Sequence, residues 1–106
     1  MAVYVDTPFK VDPREFPDAP RVFKNAMSAH LMADTEEELR TYAKKIGLSL
    51  RWIQKSGTIR CHFDITGKFL ALVERDESVL KLTPKEMAVR YMAKANASSQ
   101  STQVTS

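Results

Sequence analysis

The chain has 106 residues, 43% hydrophobic and 27% charged, which suits one globular domain with a single core and is short of the size at which chains divide. Its net charge is +3, with four basic and five acidic groups in residues 1–34 against twelve basic and eight acidic groups in residues 35–95. That surplus accommodates an anionic small molecule but argues against duplex nucleic acid, which needs a denser basic footprint, and no apolar run reaches the ~18 residues of a membrane span.

The N-terminus lacks the basic region and apolar core of a signal peptide, so a cytoplasmic protein is expected. The single cysteine, Cys61, excludes an internal disulfide and a Cys-rich zinc site, and a buried, unreactive thiol is the expectation there.

Taken in order, Ala2–Asp6 is a β-prone run that Thr7-Pro8 stops, leaving Asp6 at the strand's C-terminal end, where α/β sheets usually bind ligands. Residues 7–29 carry Pro8, Pro13, Pro17 and Pro20 with Phe9, Phe16 and Phe23 interleaved. This reads as an irregular but ordered loop, pinned to the domain by its phenylalanines. Ser28–Asp34 then leads into a helix over Thr35–Ile46. Asp34 or Thr35 is its N-cap, the Thr35-x-x-Glu38 spacing is that of a capping box, and Gly47 supplies the left-handed stop. Leu39, Tyr42, Ala43 and Ile46 form its apolar stripe.

From Leu48 the period changes to two, and a strand over Leu48–Ile53 is expected to pair as a hairpin with a second over Thr58–Ile65, joined through Lys55-Ser56-Gly57. In the second strand Ile59, Cys61, Phe63 and Ile65 face the core, while Thr58, Arg60, His62 and Asp64 share the polar face. A helix follows from Thr66-Gly67 to about Arg75, then a short strand at Val79–Leu82, then a helix with Thr83 as cap, Pro84 at its first position and Glu86 in the capping-box place. Residues 96–106 are polar and uncharged, which predicts a disordered tail after a domain spanning residues 1–95. The expected fold is therefore α/β, a small mixed sheet of about four strands, one hairpin among them, with about three helices packed on it.

The chemistry-bearing residues gather around the polar face of Thr58–Ile65. His62 and Asp64 stand two residues apart, ~7 Å along a strand, and His30 and Asp34 are four apart. With Asp6 they make two histidines and three carboxylates, a set that suits a divalent transition metal or general acid/base work. Arg51, Arg60 and Lys68 flank the same region, and a phosphate could dock on them and on the helix start at Gly67.

The ordered succession VYVD-T-P, SAHLMADTEEELRTYAKKIGL, RWIQ and HFD resembles the small bacterial and phage domain-of-unknown-function family 4031 over roughly residues 2–92. The resemblance implicates Asp6, His30, Asp34, Glu38, Gly47, Arg51-Trp52, His62 and Asp64 as a set, without supplying a mechanism.

Three functions are compatible with these residues. A binding module would hold an anionic, nucleotide-like or phosphorylated ligand through Asp6, His30, Asp34, Arg51, Arg60, His62, Asp64 and Lys68. A metal-assisted hydrolase of phosphodiester type would use Asp6, His62 and Asp64 as ligands and His30 as acid or base. An interaction module would use the 7–29 loop.

Overall fold

The computed structural model describes residues 2–18 and 26–105, with side chains through Asn96. Five strands form one mixed sheet: β1 (Val3–Val5), β2 (Phe9–Lys10), β3 (Met27–Ala33), β4 (Phe63–Thr66) and β5 (Leu80–Lys81). Three helices, α1 (Glu36–Ile46), α2 (Gly67–Arg75) and α3 (Pro84–Thr105), complete an α/β fold.

The sheet is built around β3. On one side it pairs antiparallel with β4, and on the other with β1 and then β2, while β5 runs parallel to β1 at the far edge. β1 faces β3 in the register Val3↔Ala33 to Val5↔Leu31, whereas β2 faces it as Phe9↔Ser28 and Lys10↔Met27, one residue out of step. The chain absorbs that extra residue at Thr7-Pro8, where proline has no N–H to give the ladder.

Strand alternation divides the core in two. Val5, Ala29, Leu31, Ala33, Phe63 and Ile65 meet α1 and α2 through Leu39, Tyr42, Ala43, Leu70 and Val73. On the opposite face Tyr4 and Met32 are closed over by Met87 of α3, with Tyr91 beside them. The result is three layers, with one end of the second face left outside the cover of α3.

The helices begin and end where local chemistry dictates. Thr35 caps α1 by accepting the Glu38 N–H at 3.1 Å, and Gly47 closes it at φ 81° with its own N–H turned back to the helix. Thr83 and Glu86 form a reciprocal capping box at the start of α3, with N–H to side-chain distances of 2.9 and 3.2 Å. Thr66 precedes α2 as expected, but its hydroxyl donates to the Met27 carbonyl at 2.7 Å and does not cap the helix.

Three expectations are corrected. The expected loop over residues 7–29 contains β2 and the start of β3, so Ser28–Ala33 belongs to the central strand and does not lead loosely into a helix. Within that loop Phe9 is partly buried and Phe16 is exposed, while Pro20 and Phe23 lie outside the described residues.

The expected strand Leu48–Ile53 is a 3-10 turn at Leu50–Trp52, held by Trp52 N–H to Ser49 O and Ile53 N–H to Leu50 O. Its alternation did not mark a buried face, because Leu48 enters the core and Ile53 of the other set packs against it, while Leu50 and Trp52 are exposed. The hairpin contracts to one antiparallel bridge between Gln54 and His62, and Thr58–Arg60 turns instead of extending, with the Thr58 hydroxyl donating to Lys55 O at 2.7 Å. The last helix, α3, is described as far as Thr105.

Candidate metal centre

Sheet register assembles the site. Continuing the β1–β3 pairing by one residue sets Asp6 opposite His30, and the Asp6 N–H reaches His30 O at 3.3 Å. On the other flank of β3, His30 pairs directly with Asp64 of β4. His62, two residues before Asp64 and on the same face, is held by its bridge to Gln54. Asp6, His30 and Asp64 therefore form a row across three strands, on the end of the sheet face that α3 does not cover.

Each group in the row has a defined partner. Asp6 accepts twice from one residue, the His30 backbone N–H at 2.7 Å on Oδ1 and the ring Nδ1 at 2.6 Å on Oδ2. His62 Nδ1 lies 2.7 Å from the Arg60 carbonyl, which can only accept. Both Nδ1 atoms thus carry protons, and in the neutral rings both Nε2 atoms present lone pairs. These converge on one oxygen: Asp64 Oδ1 lies 3.6 Å from His30 Nε2 and 3.4 Å from His62 Nε2. The other oxygen, Oδ2, accepts from Gln54 Nε2 at 2.8 Å.

Three acceptors facing one another repel unless a cation or a proton lies among them. The proton side of that balance is visible in the titration of the groups. The hydrogen bond to Asp6 raises His30 above the ordinary histidine value against the opposing effect of burial, with the Asp6 and Asp64 charges adding to the rise. Burial alone would raise Asp64, but its hydrogen bond with His62 and the charges of both imidazoles outweigh it and hold the carboxyl below the usual range.

Ligand atoms of His30, His62 and Asp64 all lie within 4.8 Å of one another, which suits a single ion. Their side chains are 36%, 12% and 30% exposed, so a small molecule can reach them from solvent. Phe9 stacks on the His30 ring at 5.3 Å, and the two imidazoles meet edge to face at 5.1 Å.

A family model described as a protein of unknown function, DUF4031, matches residues 3–79. The chain belongs to this family. The DUF4031 match contains Asp6, His30, His62 and Asp64 and stops before β5 and α3. No curated protein and no solved structure matches the chain.

Of the remaining expected residues of this DUF4031 domain, Asp34, Arg51 and Lys68 lie apart from the triad. Asp34 pairs with Arg90 of α3 at 3.3 Å and borders a separate cleft of about 410 Å³ with Glu36, Cys61 and Lys94. Lys68 rests over the Phe69 ring at 5.2 Å, and Arg51 is exposed on the 3-10 turn. Arg60 joins through its carbonyl on His62, while its guanidinium lies 5.7 Å from the centre of the Tyr91 ring. Cys61 is buried, and desolvation with a hydrogen bond to Glu36 pushes its thiol up to about 11, which agrees with an unreactive cysteine.

Gln54 was not among the expected site residues, although it stands in the RWIQ segment. Only its bridge to His62 brings it to Asp64. Among the described residues no helix is long and apolar enough to cross a membrane.

Proposed function

We propose that this DUF4031 domain is a metal-assisted hydrolase of phosphate esters, with His30, His62 and Asp64 holding one divalent transition ion. The observation that carries the proposal is the convergence of two Nε2 atoms on Asp64 Oδ1 at 3.6 and 3.4 Å while both Nδ1 atoms are occupied by acceptors. Two imidazoles and a carboxylate suit zinc, cobalt or iron, and three protein ligands leave coordination positions for water and substrate.

Relative to the ligand set expected from sequence, His30 takes the place of Asp6. Asp6 stands behind His30, where a carboxylate fixes the ring and raises its basicity toward a metal. Gln54 orients Asp64 in the same supporting way. A bound ion supplies Lewis acidity and lowers the pKa of water toward about 7. In hydrolysis the water oxygen forms a bond to phosphorus. The ester oxygen leaves with the electrons of the broken P–O bond and ends protonated, in exchange for the proton the water gives up.

An anion site built on Arg51, Arg60 and Lys68 together has no support from their positions, since Arg51 is exposed on the 3-10 turn and Lys68 lies over Phe69. The test is calorimetric titration of the full chain with Co(II) and Zn(II), followed by turnover of bis(p-nitrophenyl) phosphate. One ion per chain and turnover abolished by EDTA and by Asp64→Asn are expected. Wild-type protein that binds neither ion sinks the proposal, and one that binds an ion but turns over no phosphate ester sinks the hydrolase part.

A further inference from the structure

The triad lies between two features that no hydrolytic step requires. On one side Phe9, stacked on His30, is followed by Phe16 at 6.3 Å, and Phe16 is 44% exposed. Among the described residues this leaves an aromatic face open at the edge of a polar site, and such a face suits a planar ring.

On the other side Arg60 lies over Tyr91, whose hydroxyl donates to Met32 Sδ at 3.1 Å, one alternation along β3 from His30. Among the described residues the guanidinium has no carboxylate within ion-pair distance, while the carbonyl of the same residue holds His62. Arg60 thus offers a planar cationic fork beside the ligand shell.

We propose, resting on the metal-centre reading above, that the ligand of this site is a nucleotide: its phosphoryl group bridges the ion and Arg60, and its base stacks on the Phe9–Phe16 pair. Charge supports the order of binding. Asp6 and Asp64 place two carboxylates against His30, so a phosphate dianion is repelled until a divalent ion offsets them. Phosphate binding is therefore conditional on metal. Ring stacking separates a nucleotide from a bare sugar phosphate, and the phosphate separates it from a nucleoside.

The experiment uses the full chain loaded with Co(II), whose visible absorption reports metal occupancy independently of any activity. AMP, ribose 5-phosphate and adenosine are titrated into it by calorimetry. AMP is expected to bind about tenfold more tightly than ribose 5-phosphate, the low end of what one stacked base contributes. Arg60→Gln should weaken both phosphates by about tenfold, as loss of a charged hydrogen-bond donor does, with unchanged cobalt absorption. Phe16→Ala should weaken AMP alone, and EDTA should abolish binding of both phosphates.

Equal affinities for AMP and ribose 5-phosphate on cobalt-loaded protein overturn the nucleotide assignment and leave the metal centre standing. Unchanged phosphate affinity in Arg60→Gln overturns the role of Arg60. Absence of cobalt absorption in the wild type removes the metal centre and this inference together. Both substituted side chains are exposed, and an unchanged thermal midpoint in the metal-free variants verifies that they fold.

Discussion

Replacing Asp6 with asparagine probes how the sheet holds the proposed ligand His30. Asp6 uses both carboxylate oxygens on that one residue, at 2.7 Å to its backbone N–H and 2.6 Å to its ring Nδ1. Asparagine offers one acceptor oxygen, and its NH₂ must then face one of the two donors. Strand pairing fixes the backbone N–H, so the ring is the group that loses its partner.

Loss of a carboxylate behind a ligating histidine weakens metal binding by about 10- to 100-fold. At a metal concentration ~100 times the wild-type Kd, the bound ion stabilises the wild type by about 2.7 kcal/mol. The same concentration stabilises the variant by ~1.4 kcal/mol after a tenfold loss and by ~0.4 kcal/mol after a hundredfold loss. At roughly 4 °C per kcal/mol for a domain of this size, the metal-induced rise in Tm falls from about 11 °C to between about 6 and 2 °C.

Scanning fluorimetry of both proteins with and without Co(II) measures this difference, and the metal-free midpoints subtract any direct effect on folding. An Asp6→Asn protein that keeps the full metal-induced rise refutes the argument that Asp6 supports the ligand.

Three further outcomes follow from other parts of the fold. The Glu36 carboxyl is lowered to about 2 by the Gly57 N–H, then by the Ser56 hydroxyl and Arg40. A lowered acid stabilises the fold above its unfolded-chain value of ~4.3 and loses that contribution as pH falls toward the folded value. Urea titrations between pH 5 and 2 should therefore show wild type losing more stability on acidification than Glu36→Gln. Thr83→Ala removes the hydroxyl that accepts the Glu86 N–H at 3.2 Å and should cost about 1 kcal/mol in urea unfolding. At Gly47, φ is 81° and an added Cβ meets no atom within 4 Å, so Gly47→Ala should cost about 1 kcal/mol through backbone strain alone, read from the same unfolding curves.

Elements whose signals are local were legible in the sequence. Thr35 with Glu38 and Gly47 bounds α1 within a dozen residues, and Thr83, Pro84 and Glu86 open α3. Each signal is a hydrogen bond or a backbone angle between near neighbours, so it survives without knowledge of the fold.

β3 left no such mark. Both of its faces are largely buried, so Met27–Ala33 lacks the apolar–polar alternation of a half-exposed strand, and the prolines before it suggested irregular chain. Conversely, Leu48–Ile53 alternates over six residues yet forms a 3-10 turn, because so short an alternation does not specify which side chains find a core.

The two histidines and the His62-x-Asp64 spacing stood out as chemistry. Their convergence with Asp6 depends on the β1–β3 and β3–β4 registers, and neither could be known before β3 was recognised as a strand. Phe16 was legible only as one of three loop phenylalanines, and Gln54 carried no signal of its own. Their relevance comes from the ring stack on Phe9 and from one isolated bridge.

On the proposed reading, the pairing of His30 with Asp64 makes the metal site a proofreader of strand alignment. Were β4 to slip by one residue against β3, Phe63 or Ile65 would stand where Asp64 now stands, and the apolar pair buried beneath the sheet would turn toward water. Such a misaligned chain lacks the carboxylate that both Nε2 atoms face. A metal ion held as proposed would stabilise the correct alignment and no neighbouring one, and would widen the energy gap that separates the native pairing from its closest competitors.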